Sequence, residues 1–167
     1  MKKLFITAVL LSGFAFSAQS QNISKNALGL RFGDNNGFGG EVSYQRKLAG
    51  DHRLELDLGW RNSDVYDAVK ITGVYQWVWN IDGDFNWYAG VGAGLGSWDF
   101  NKKYKNQYFN NDNSGGVYAF AAGNIGIEYD FDIPLLISLD FRPEFVLGDG
   151  YGDNYGSDIA LGLRYQF

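Results

Sequence analysis

Few residues of this chain have the types and spacing that reactions need. His52 is the only histidine and cysteine is absent. A nucleophile–histidine–acid triad or a two-histidine metal site is therefore hard to assemble, and thiol chemistry is excluded. Asp140 and Glu144 form a carboxylate pair of the kind used in acid–base work, but an ion-pair network is the plainer reading. Asp149, Asp153 and Asp158 lie among glycines and are oxygen donors of the sort calcium takes, without the spacing of a helix–loop–helix calcium loop. A solvated loop accounts for them more simply. Gly90, Gly92, Gly94 and Gly96 alternate, yet a phosphate-cradling loop needs a strand–turn–helix context. The best contact candidate is Lys102, Lys103 and Lys105 interleaved with Tyr104, Tyr108 and Phe109, a basic and aromatic cluster suited to anionic phosphates or a protein partner. No cofactor and no metal are expected from this inventory.

The elements that must position these residues begin after a leader. Met1-Lys2-Lys3 is basic, Leu4 to Phe16 is mostly apolar, and Ala18-Gln19-Ser20 supplies small residues where a signal peptidase reads. Residues 1–20 read as a secretory signal removed before Gln21, because the apolar run is short of the ~20 residues a spanning helix needs. The expected mature domain is 21–167. Loss of Lys2 and Lys3, with no acid lost, moves the formal charge from −5 to −7. So acidic a chain is a poor nucleic-acid binder. The mean hydropathy of −0.24 is that of a soluble protein, but a strand that shows lipid at every second residue dilutes its own average.

From Ala27 onward apolar residues recur with period two. Eight runs follow: Ala27 to Gly33, Phe38 to Arg46, Arg53 to Arg61, Ala68 to Trp79, Phe85 to Ser97, Val117 to Tyr129, Leu135 to Phe145 and Asp158 to Phe167. Most approach the ~9–11 residues of a tilted membrane-crossing strand. Connections after the second, fourth and sixth runs are short, and Asp82-Gly83 is a hairpin signal. Those after the fifth and seventh, Asp99 to Gly116 and Gly148 to Ser157, are longer and polar. The first, Asp34 to Gly37, is short. Alternating turns and loops is the pattern of an eight-stranded antiparallel up-and-down transmembrane β-barrel.

A soluble ligand-binding barrel alternates too, with its greasy face turned inward, so the faces must be told apart. Tyr44, Trp77, Trp79, Phe85, Trp87 and Tyr129, joined by Tyr165 and Phe167, fall at one rim of the apolar face, as a headgroup-level girdle requires. Phe32, Phe38, Trp60 and Phe145 make a thinner band at the other rim. The apolar faces of the runs carry no charge. The polar face carries Arg31, Arg53, Arg61, Lys70, Arg142 and Arg164 against Glu41, Glu55, Asp57, Glu128, Asp140 and Glu144, a balance that a low-dielectric lumen needs. Its glycines, including Gly29, Gly59, Gly126 and Gly162, make room inside a narrow barrel.

The last run, with Ile159, Leu161, Leu163, Tyr165 and terminal Phe167, resembles the C-terminal strand of bacterial outer-membrane proteins, whose final aromatic is read by the barrel assembly machinery. Length, run count and charged lumen resemble OmpX and the OmpA transmembrane domain. Ile137 to Phe145 is similar to the penultimate strands of the Bacteroidetes outer-membrane β-barrel domain. The resemblance implies an outer-membrane location with lipid as surroundings, and the lack of a catalytic constellation leads to the expectation of no enzymatic activity. The expected role is a filled barrel presenting loops, with lipopolysaccharide or a protein as possible loop contact. A small or gated pore is the alternative, and a secreted soluble binder the second.

Overall fold

A computed structural model describes residues 23–33, 39–62, 66–100, 115–147 and 154–167. The leader 1–20, the cluster Lys102, Lys103, Tyr104, Lys105 and Tyr108, and Phe38, Asp149 and Asp153 lie outside the described residues. Eight strands follow in order: β1 (Asn26–Phe32), β2 (Glu41–Lys47), β3 (His52–Asn62), β4 (Tyr66–Asp82), β5 (Phe85–Phe100), β6 (Gly115–Asp130), β7 (Leu135–Leu147) and β8 (Tyr155–Gln166). Each pairs antiparallel with its sequence neighbours, and β8 closes on β1. Among the described residues no helix is long and apolar enough to cross a membrane, which does not bear on strands.

The expected runs match the strands in number and order, but several strands run on further. β4, read as Ala68 to Trp79, spans Tyr66–Asp82, and β8 starts at Tyr155 rather than Asp158. Backbone pairing continues past the membrane-height pattern because N–H and C=O groups bond across strands whatever their side chains. Asp82 pairs with Phe85 across a tight turn in which Gly83 holds φ +51°. Asn80 Nδ2 donates to Gly83 O at 2.7 Å and to Phe85 O at 3.2 Å, which satisfies the turn's carbonyls.

One row of cross-strand partners measures the barrel. From Leu28 it passes through Tyr44, Leu56, Gly73, Ala93, Ala121, Phe145 and Tyr155. Leu161 pairs with Phe32 and Tyr155 lies six residues before Leu161, so the row returns displaced by ten residues along the strand direction from the starting Leu28. A shear of ten over eight strands tilts the strands by roughly 35–45° and leaves a lumen that side chains fill.

Orientation follows the alternation. Leu28, Leu30, Leu56, Leu58, Ile71, Val91, Ile125, Leu139, Leu161 and Leu163 are exposed, while Arg31, Glu41, Arg53, Glu55, Lys70, Asp140, Arg142 and Arg164 are buried. The soluble ligand-binding barrel, with its apolar residues inside, is thereby excluded. This is a transmembrane-type barrel, apolar outside and charged within.

Candidate functional site

The inward positions of all eight strands converge on one network. Arg142, from the middle of β7, is fully buried. Its Nη1 donates to Glu41 Oε2 at 3.0 Å, and its Nη2 reaches Glu55 Oε1 at 3.1 Å and also Asp57 Oδ2. Arg31 of β1 contacts three acids: Glu41 at 3.1 Å, Asp140 at 2.6 Å and Asp158 at 2.7 Å. Arg164 of β8 donates to Ser43 Oγ at 3.0 Å, Ser138 Oγ at 2.8 Å and Glu55 Oε2 at 3.1 Å. Arg142 thus reaches across the barrel from β7 to β2 and β3, Arg164 ties β8 to β2, β3 and β7, and Arg31 ties β1 to β2, β7 and β8. The planar fork of five donors suits a guanidinium to bridging several carboxylates at once.

The network is layered. Near the rim that holds Asn26 and Phe167, here the lower rim, Arg53 meets Glu128 at 2.7 Å and lies 4.7 Å from the Tyr88 ring centroid. Arg53 Nε also donates to Gln76, whose Nε2 donates to Asn124 Oδ1 at 2.8 Å. Above these lie Asp140, Arg31, Asp57, Glu41 and Arg142. Toward the opposite, upper rim Lys70 meets Glu144 at 3.1 Å and Glu41 at 3.3 Å. Arg61 faces inward at the upper mouth and is half-buried.

Two expectations about these charges are corrected. Asp158 is not a loop donor for calcium. It lies in β8, buried, against Arg31. Among the described residues the buried charges are therefore Arg31, Arg53, Lys70, Arg142 and Arg164, facing Glu41, Glu55, Asp57, Glu128, Asp140, Glu144 and Asp158, so the even balance gives way to a surplus of acid. No cluster of three or more histidine, cysteine or acidic residues among the described residues has metal-holding geometry.

Glycine shapes the packing. A Cβ at Gly94 would lie 2.2 Å from Phe120 Cζ, at Gly96 2.2 Å from Tyr118 Cζ, and at Gly126 2.5 Å from Tyr88 Cζ. The inner face of β5 and β6 is thus paved by rings lying on bare backbone. A cavity of about 10 Å³ at the lower mouth, lined by Gln45, Arg53, Asn86, Glu128 and Gln166 among others, has room for about one water.

The outer wall carries the aromatic residues. Trp79 stacks on Trp87 at 4.3 Å, Phe85 meets Tyr129 edge-on at 4.8 Å, and Tyr165 stacks on Phe167 at 6.2 Å. Tyr44 OH donates to Asn26 Oδ1 at 2.8 Å. Trp77 packs against Tyr75 and against His52, which occupies the first position of β3 on the outer face. Ile159, Leu161, Leu163 and Tyr165 point outward from β8, and Phe167 follows it, exposed. The outer faces are not wholly uncharged: Arg46 continues the outward row of Val42 and Tyr44 on β2.

No family model matches the chain, and no curated protein does. Solved structures do. The chain is similar to the N-terminal β-barrel domain of Pseudomonas aeruginosa OprF at 17% identity, over 86% of this chain and 98% of that one, with a TM-score of 0.60. It is similar to Neisserial surface protein A at 12% identity, over 85% and 94%, with a TM-score of 0.59. It is also similar to Ail, the attachment invasion locus protein of Yersinia pestis, at 16% identity, over 86% and 97%, with a TM-score of 0.51. At these identities the likeness is one of fold, and that fold is the small eight-stranded transmembrane barrel.

Proposed function

We propose that the chain is an outer-membrane protein of a bacterium whose barrel is plugged, and which acts as a structural or loop-presenting element rather than as a pore or an enzyme. The observation that carries this reading is the contiguous lumen network: twelve buried charged side chains among the described residues, from Arg53 and Glu128 at one end to Lys70 and Glu144 at the other. Water and ions have no continuous path through such packing unless several charge-assisted hydrogen bonds break together. The similarity to OprF, Neisserial surface protein A and Ail supports the membrane location. In this reading residues 1–20 direct export, and the strand ending in Tyr165 and Phe167 is recognised by the barrel assembly machinery. In the same reading Lys102, Lys103, Tyr104, Lys105 and Tyr108 are the residues offered to lipopolysaccharide or a protein partner.

Planar-bilayer recording of the full chain tests the plug. The expected trace is silent, or shows rare brief openings. Stable openings of porin size would overturn the reading. Recovery of the protein in the soluble periplasmic fraction would overturn the membrane location.

A further inference from the structure

The outward wall between the two rims is apolar, with one exception in the strands. Among the described strand residues Arg46 is the only lysine or arginine that faces outward. Its position is specific. Ten residues of shear shared over eight steps mean that a level line around the wall advances a little over one residue per strand. Traced that way, Arg46 sits at the height of Trp77, Trp87 and Tyr165. The girdle thus includes one permanently charged member.

That guanidinium is held in place. Arg46 Nη1 donates to Asn26 Oδ1 at 3.0 Å, and the same oxygen accepts from Tyr44 OH at 2.8 Å. Asn26 is fixed in turn: its backbone N–H donates to Phe167 O at 3.0 Å and its Nδ2 to the same oxygen at 3.4 Å. One donor of Arg46 is used to orient it, and the side chain stays exposed. The remaining donors of the planar fork match the spacing of phosphate oxygens.

Further charges lie around this corner of the lower rim. Lys25 is exposed beside Arg46, whereas Lys47, whose N–H donates to Lys25 O at 3.0 Å, has the inward parity of Glu41 and Gln45 and lines the lower-mouth cavity with Glu128 and Asp130. Asp51 lies in the turn that follows. The other rim acids are Asp82 and Asp84 at the β4–β5 turn, and Asp130 and Asp132 at the β6–β7 turn, which meets the end of β8 where Gln166 N–H donates to Pro134 O at 3.1 Å. On the outward face of this corner an anion meets the Arg46 guanidinium at headgroup height with Lys25 beside it, and the acidic groups next to it are Asp51 and the Phe167 carboxylate.

We propose that the Asn26–Tyr44–Arg46 corner binds the phosphate of an anionic phospholipid in the leaflet facing the lower rim. The proposal rests on the membrane reading above. Its energetic basis is a guanidinium–phosphate fork, strengthened at the dry edge of the headgroup layer and by the neighbouring Lys25. Tyr44 adds the amphipathic ring that settles at that depth.

Native mass spectrometry of the folded full chain in detergent, with phosphatidylglycerol and phosphatidylcholine added in equal amounts, tests it. Wild type should retain phosphatidylglycerol preferentially. Arg46→Gln should lower that preference about five-fold, Arg46→Lys should keep part of it, and Asn26→Ala should weaken it without changing the charge. An unchanged preference in Arg46→Gln, or none in wild type, overturns the proposal. A competition arm with inorganic phosphate separates the sources: displacement by free phosphate shows a general anion site and overturns the lipid assignment. The unboiled gel mobility of each variant reports the barrel separately. A wild type lacking the fast-migrating form would count against the membrane barrel itself, whereas normal mobility without lipid preference counts against this site alone.

Discussion

Arg142 shows what a single side chain does in this lumen. It holds Glu41, Glu55 and Asp57 at once, with no exposure to water. Replacing it by methionine leaves three buried carboxylates short of a counter-charge, so Arg142→Met should lose about 3–5 kcal/mol of stability, read by urea titration of the folded gel band in vesicles. On the opposite face, Ile125 is half-exposed near mid-height of the wall, and Ile125→Arg should cost ~2–4 kcal/mol by the same assay. Gly94→Ala, which drives a methyl into Phe120 and toward Ile71 O, should cost about 1–3 kcal/mol although it adds only one carbon. The inward or outward direction of nearly all these residues was legible in the sequence, because period two leaves only two faces to choose between. Asp158 and Arg46 were not. Asp158 adjoins a glycine-rich loop, so its parity with Ala160, Gly162 and Arg164 is masked by its surroundings. Arg46 has the parity of Val42 and Tyr44 but the polarity of the opposite face, and only the register settles which governs.

At the scale of strands and turns, the hairpin was the readable unit. The Asp82-Gly83 step announced a turn, and Gly83 sits there in the left-handed region that favours glycine. Gly83→Ala should therefore destabilise the β4–β5 hairpin by about 1 kcal/mol, while Gly123→Ala on the outer wall, where the nearest atom is Pro143 Cγ at 3.2 Å, tests tolerance of a methyl without a backbone penalty. Thermal unfolding of both variants in the same detergent compares them directly. Strand ends were less readable. β4, β5 and β6 extend through positions such as Asp67 and Asp99 whose polarity reads as loop. Side-chain pattern reports depth in the membrane, whereas backbone pairing ignores that boundary, so the two signals part company above the rim.

At the scale of the whole molecule, strand count and shear together decide that the centre is filled. Eight strands were legible as eight runs, but the shear was not, since it depends on registers that no single run encodes. The particular partnerships inside, such as Arg31 with Asp140 and Asp158, were likewise beyond sequence pattern, because they join strands β1, β7 and β8 that are far apart along the chain. Closure itself has a mechanical corollary. The β1–β8 seam is short, running from Ala27 with Gln166 to Phe32 with Leu161, yet it is spanned from within by Arg31 reaching Asp158 and Arg164 reaching Ser43. These two arginines act as rivets across the joint. A pull on β8 in single-molecule force spectroscopy should meet its first resistance there, and neutralising Arg31 or Arg164 should lower the peeling force of that strand while leaving the central hairpins to rupture as before.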